Sequence, residues 1–113
     1  MTVEQFIIEY LAQALSVNVS GSVPHPLPAE FVTVEKTGSS TADRIPTATI
    51  AVQSWSTSRA AAEALNETVK AAMAGLDAED DISRCALESD YNYTDLATNK
   101  PRYRAVFVVV HYF

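Results

Sequence analysis

At 113 residues, with 48% apolar, 9% aromatic and 19% charged content, the chain has the makings of one globular domain over residues 1–113, with no room for a second. A formal net charge of -6 argues against a nucleic-acid-binding surface, because phosphates call for clustered Lys and Arg in excess. One cysteine, Cys85, excludes an internal disulfide, no positively charged leader opens the chain, and the longest purely apolar run, Ala105 to Val110, is far too short to span a bilayer; the expectation is a soluble cytoplasmic protein with no membrane contact.

Thr2 followed by Gln5 reads as a capping box, and Val3, Phe6, Ile7, Tyr10, Leu11, Ala14 and Leu15 then recur at helical spacing. The first element is therefore an amphipathic helix. Val17 to Ser20 is a short extended piece, after which Pro24, Pro26 and Pro28 fix φ across a stiff crossing that is neither helix nor central strand. Phe31 to Thr37 is rich in β-branched residues and predicts a strand. Gly38, Ser39 and Ser40 end it, and a mobile loop is expected to run on through Thr41 and Asp43 to about Arg44.

Thr47 to Ser56 predicts the next strand, with Trp55 near its end and Thr57 or Ser58 capping the helix that follows. In that helix Ala62, Leu65, Val69, Ala72, Met73 and Leu76 make one apolar stripe, Glu63, Glu67 and Lys70 face away, and Gly75 offers a stop. Ile82 to Tyr93 alternates Cys85, Leu87, Tyr91 and Tyr93 with polar residues; Asn99, Lys100 and Pro101 supply a turn, and Tyr103 to Phe113 is a long closing strand in hairpin with it. The order α-β-β-β-α-β-β predicts an α+β domain: a mostly antiparallel sheet of four to five strands with two helices packed on one face.

Two helices, each about 10 Å across, blanket one face of such a sheet, whose strands lie about 4.8 Å apart, and leave the other open. Yet the closing strand presents Ala105, Phe107 and Val109 on one side and Val106, Val108 and Val110 on the other, the pattern of a strand covered twice. The second cover is the Pro-rich connector, a neighbouring copy or a different protein, and the area argument favours a neighbour.

Catalytic templates fail one by one. Gly21, Gly38 and Gly75 lie far apart, so no phosphate loop exists. His25, His111 and Cys85 match no metal-ligand spacing, and a lone Cys at a strand position reads as a small core residue more readily than as a nucleophile paired with His111. Asp77, Glu79, Asp80 and Asp81 lack the alternating ligands and Gly of a calcium loop and read as a solvated turn. No enzyme activity, metal or cofactor is expected. Lys100, Arg102 and Arg104 group where the last hairpin enters its strand, with Arg102 and Arg104 on one face; they suit either an acidic partner surface or the deterrence of edge-to-edge pairing.

The run Ala48-Thr-Ile-Ala-Val-Gln-Ser-Trp-Ser-Thr-Ser-Arg-Ala-Ala-Ala-Glu-Ala-Leu65 resembles the tail-terminator, or tail-completion, proteins of long-tailed bacteriophages and prophages. So do Tyr91-Asn-Tyr and Asn99-Lys-Pro-Arg-Tyr-Arg-Ala-Val-Phe107, in which a Pro-Arg-Tyr turn introduces the closing strand; with the element order and short length, the likeness covers most of the chain. The resemblance implies a homo-oligomeric ring, typically a hexamer, that sits on the end of the tail tube protein, stops tube polymerisation and meets the head-tail connector protein. DNA would pass through its channel without specific binding, and the subunit would be made in the host cytoplasm and end in the virion tail. Contact candidates are Gly38, Ser39, Ser40, Thr41, Asp43 and Arg44 in the expected loop, Trp55, which suits core and interface equally, Arg102 and Arg104, and the second face of Val106, Val108 and Val110. A neck, head-closure or minor tail component is the alternative within the assembly class; a small-ligand-binding regulatory αβ domain is the alternative outside it.

Overall fold

Thr2 starts the first helix in the way its position beside Gln5 predicts: in the computed structural model, which describes residues 1–42 and 44–112 and of Ala42 the backbone alone, its side chain accepts from the Gln5 amide at 3.1 Å. Helix α1, Val3–Ala14, buries Val3, Ile7 and Leu11 on one stripe. Strand β1, Asn18–Ser20, leads through the Pro-rich connector to β2, Phe31–Ala42, and β3, Ile45–Trp55. Ser58 caps α2, Arg59–Ala74, by accepting from the Ala61 amide at 3.1 Å, and Gly75 ends it before a 3-10 turn over Leu76–Ala78. Strands β4, Ile82–Asn92, and β5, Arg102–His111, close the chain as an antiparallel hairpin.

The five strands lie in the order β1-β2-β3-β5-β4, with β1 parallel to β2 and every other pair antiparallel. The fold is α+β, with the expected element order. Val32 and Val34 of β2, Ala48, Ile50 and Val52 of β3, and Ala105, Phe107 and Val109 of β5 share one sheet face. Ile7 and Leu11 of α1 and Leu65, Val69 and Met73 of α2 close over them in one cluster. Helix α1 lies against β1 and β2, and α2 against β3, β5 and β4. Tyr10 Oη ties the helices together by donating to the Ala72 carbonyl at 2.7 Å.

The loop expected from Gly38 to Arg44 is corrected. Strand β2 continues through it: Gly38 stands opposite Thr49, Ser39 opposite Ala48, Ser40 opposite Thr47 and Thr41 opposite Pro46, and the pairing runs on to Ala42 opposite Ile45. Arg44, just before β3, takes a left-handed conformation with φ 66°; Asp43 lies outside the described residues. Cross-strand pairing with the β-branched start of β3 outweighs the weak strand preference of Gly and Ser. A bulge between Lys36 and Gly38 absorbs the extra residue, Thr37. Pro46 is tolerated because β5 pairs with β3 only from Thr47 onward, so the proline has a strand on one side alone.

Gly38 has no left-handed φ, and a Cβ built there meets nothing within 4 Å. Gly38→Ala is therefore expected to raise stability by about 0.5–1 kcal/mol through lower unfolded-state entropy, read as a higher urea midpoint. Phe107→Ala, which empties a site 2% exposed between sheet and α2, is expected to lower it by about 3–5 kcal/mol.

Candidate functional site

Strand register builds the helix-free face of the sheet rung by rung. Phe31, Trp55 and Arg102 form the first row across β2, β3 and β5. Thr33, Gln53, Arg104 and Tyr91 form the next, and Glu35, Ala51, Val106 and Ser89 the third. Beyond the bulges come Gly38, Thr49, Val108 and Ala86, then Ser40, Thr47, Val110 and Arg84. One end of this face is thus aromatic and cationic; the other is apolar, with a polar hairpin tip.

At the cationic end the side chains pile on one another. Phe31 and Trp55 stack with ring centroids 5.2 Å apart and an interplanar angle of 15°. The Arg102 guanidinium lies between two rings, 4.4 Å from the Trp55 centroid and 4.5 Å from that of Tyr93. Arg104 sits 5.1 Å from the Tyr93 centroid, Tyr91 meets Tyr93 edge-on at 5.8 Å, and Lys100 Nζ lies 5.7 Å from the Phe31 centroid. Arg102 is locked by donating from Nε to the Tyr93 carbonyl at 2.8 Å and from Nη1 to Gln53 Oε1 at 2.9 Å, and Trp55 Nε1 donates to Thr33 Oγ1 at 3.2 Å. Trp55 is only 6% exposed, so its own chain covers most of it; Gly21, Ser22 and Val23 of the connector line the adjoining cleft.

The cations of this pile lack carboxylate partners. Among the described residues the ion pairs are those of Lys70 with Glu67 at 2.6 Å and with Asp90 at 3.0 Å. Arg104 Nε is buried without a hydrogen-bond acceptor among them. Nearby Asp95 is held below its usual range first by the Thr98 hydroxyl and the Ala97 amide and to a lesser degree by Arg102.

Val106, Val108 and Val110 are half-buried, shielded by one another and by neighbours on β3 and β4. Val108 and Val110 line a shallow groove of about 300 Å³ with Arg84, Ala86, Leu87 and Glu88, and no connector residue contributes to it. Of the expected covers, the connector serves only the cationic end.

The structure therefore splits the sequence-derived candidates. Gly38, Ser39, Ser40, Thr41 and Arg44 are exposed at the hairpin tip, next to Val110, whereas Trp55, Arg102 and Arg104 gather at the far end. Tyr93, Phe31 and Gln53 join the latter group without having been singled out, because only strand register places them there. Cys85 pairs with Val109 and half-buries against the core, and burial, with a smaller push from Asp77, raises its thiol from the usual 9.0 to about 11. Such a thiol is neutral near pH 7 and a poor nucleophile. Among the described residues no cluster of three His, Cys, Asp or Glu could hold a metal ion, and no helix is long and apolar enough to cross a membrane.

The chain matches no protein-family model and no curated protein.

Because Trp55 is the sole tryptophan, its fluorescence reports on the pile directly. Arg102→Ala is expected to shift its emission to the red and raise its quenching by acrylamide, while lowering stability by about 1–2 kcal/mol. An unchanged spectrum would show that Arg102 does not cover the ring. For Cys85, the raised folded value favours the neutral thiol. Its contribution to stability is complete below the unfolded value of 9.0 and is lost as pH climbs toward about 11. At pH 8 a thiol reagent is expected to label the native protein far more slowly than the urea-unfolded chain, with the native rate climbing steeply between pH 9 and 11; equal rates at pH 8 would contradict the burial.

Proposed function

We propose that this chain is a structural assembly subunit, the tail-terminator of a long-tailed bacteriophage or prophage. It acts through protein contacts alone, without catalysis or cofactor. Copies join in a ring, hexameric by the resemblance, on the finished tail tube, stop its growth and offer a surface to the head connector, with DNA passing unbound through the middle. The subunit is made in the host cytoplasm and ends in the virion tail.

The observation that carries this reading is the stripe of Val106, Val108 and Val110, half-exposed on a sheet face that neither helix reaches. A stable monomer of this composition would place polar side chains at those alternate positions, as antiparallel sheets with one solvated face do. The hairpin tip from Ser39 to Thr41, polar and exposed, suits hydrogen bonding to a neighbouring subunit or to the tube.

The test is to add purified protein to polymerising tail tube subunits and follow the tubes by electron microscopy. Capped ends and arrested growth are expected with the wild type. Val108→Asp, a change on the sheet surface, is expected to keep a native circular dichroism spectrum and lose capping. Tubes that elongate past the wild-type protein would remove the terminator role; copy number and position in a purified particle separate it from a neck or head-closure component.

A further inference from the structure

The two ends of the sheet carry opposite charge. Lys100, Arg102 and Arg104 gather where β5 begins, and α2 opens there too, with Arg59 following the end of β3. Asp77, Glu79, Asp80 and Asp81, all exposed, form the turn before β4, whose first residue, Ile82, pairs with His111 at the finish of β5. The ten residues of β5, at about 3.3 Å each, set the two groups about 30 Å apart along the strand direction. Three acids near the cationic end are engaged locally: Glu30 accepts from Ser56 Oγ at 3.0 Å, Glu63 from Tyr103 Oη at 2.9 Å, and Asp95 from Ala97 and Thr98; Glu35 lines the cleft beside Trp55 and Arg102 without an ion pair to either arginine. At the acidic end Arg84 sits on the open face of β4, three residues after Asp81.

We infer that the cation–aromatic pile of Lys100, Arg102 and Arg104 receives the Asp77–Asp81 turn of a second copy of this chain, making a head-to-tail contact between subunits. This rests on the self-assembly reading above and names the side chains that join one subunit to the next. The Arg102 guanidinium, held against two aromatic rings with Nε and Nη1 already donating, is partly stripped of water and keeps Nη2 for a charge-assisted bond to a carboxylate. Arg104, on the same face and 5.1 Å from the Tyr93 centroid, adds a second positive charge at the same place. The occupant is a second copy because this chain itself displays four clustered carboxylates at the opposite end, with no ion pair among the described residues to neutralise them. Nucleic acid fits poorly, since three cations on a chain of net charge -6 would bind it weakly. A contact between unlike ends is heterologous, and repetition of it closes into a ring or runs on as a filament.

Sedimentation at low ionic strength tests the contact with four proteins: the wild type, K100E/R104E, D80K/D81K, and the chain carrying all four changes. The wild type is expected to self-associate, and added salt to weaken the association. Each reversed pair is expected to lower the association constant at least about tenfold, and the fourfold variant to recover it, since its ends again attract. D80N/D81N replaces D80K/D81K as the single-end variant if the latter loses its wild-type urea midpoint. A monomeric wild type at low salt, a reversed variant that associates like the wild type, or a fourfold variant that fails to recover each overturns the inference. Reversed variants that no longer associate through this contact but still cap tubes would leave the terminator role standing on another interface, and association without capping would leave the contact standing without the role.

Discussion

The antiparallel register of β3 with β5, from Thr47 opposite Val110 to Trp55 opposite Arg102, is the constraint on which the molecule depends. It sends Ile50, Phe107, Ala48 and Val109 toward the helices and, by strict alternation, sets Trp55, Arg102, Ala51 and Val106 on the other face. A slip of one residue would put Arg102 and Arg104 under α2 and the core side chains in water, so the hydrophobic pattern admits one alignment. Both the buried core and the exposed surface follow from that single choice.

The helix-free face solves its exposure in two ways. At the end near Trp55 the chain covers its own aromatics with cations, the Arg102 guanidinium lying against the rings of Trp55 and Tyr93. The Arg102 hydrogen bonds to Gln53 and Tyr93 make that cover rigid, at the cost of leaving charge near rings without a carboxylate. Toward the hairpin tip no such cover exists, and three valines shield one another incompletely. The valine groove is thus the part of this face that the chain leaves open.

Helices were legible because their caps and stripes are local: Thr2 and Ser58 bond within three residues, and the apolar period is complete inside each element. The alternation of β5 and the hairpin of β4 with β5 were legible for the same reason. The length of β2 was not, since Gly38 to Ser40 have loop-like composition and remain a strand only because Thr47 to Thr49 lie alongside. The site was half legible. Alternation put Arg102 and Arg104 on one face, but Tyr93 reaches Arg102 through a register that passes two bulges in β4 and a turn where Asn99 takes φ 57°, and no local signal encodes that.

The sheet edges narrow how copies of this chain can meet. Along β2, pairing with β1 stops at Thr33, so the outer edge from Val34 onward lacks a strand. It is guarded all the same, because Glu4 Oε2 accepts from the Lys36 amide at 2.8 Å, the bulge beside Gly38 breaks the ladder, and Glu35 and Lys36 charge it. Along β4 two bulges and the exposed Arg84, Glu88 and Asp90 have the same effect. Simple strand addition is thus obstructed at both edges by the devices that keep sheets from aggregating. Association that avoids those edges must use surfaces whose partners are specified by shape or by charge, and the valine groove and the two oppositely charged ends of β5 meet that description.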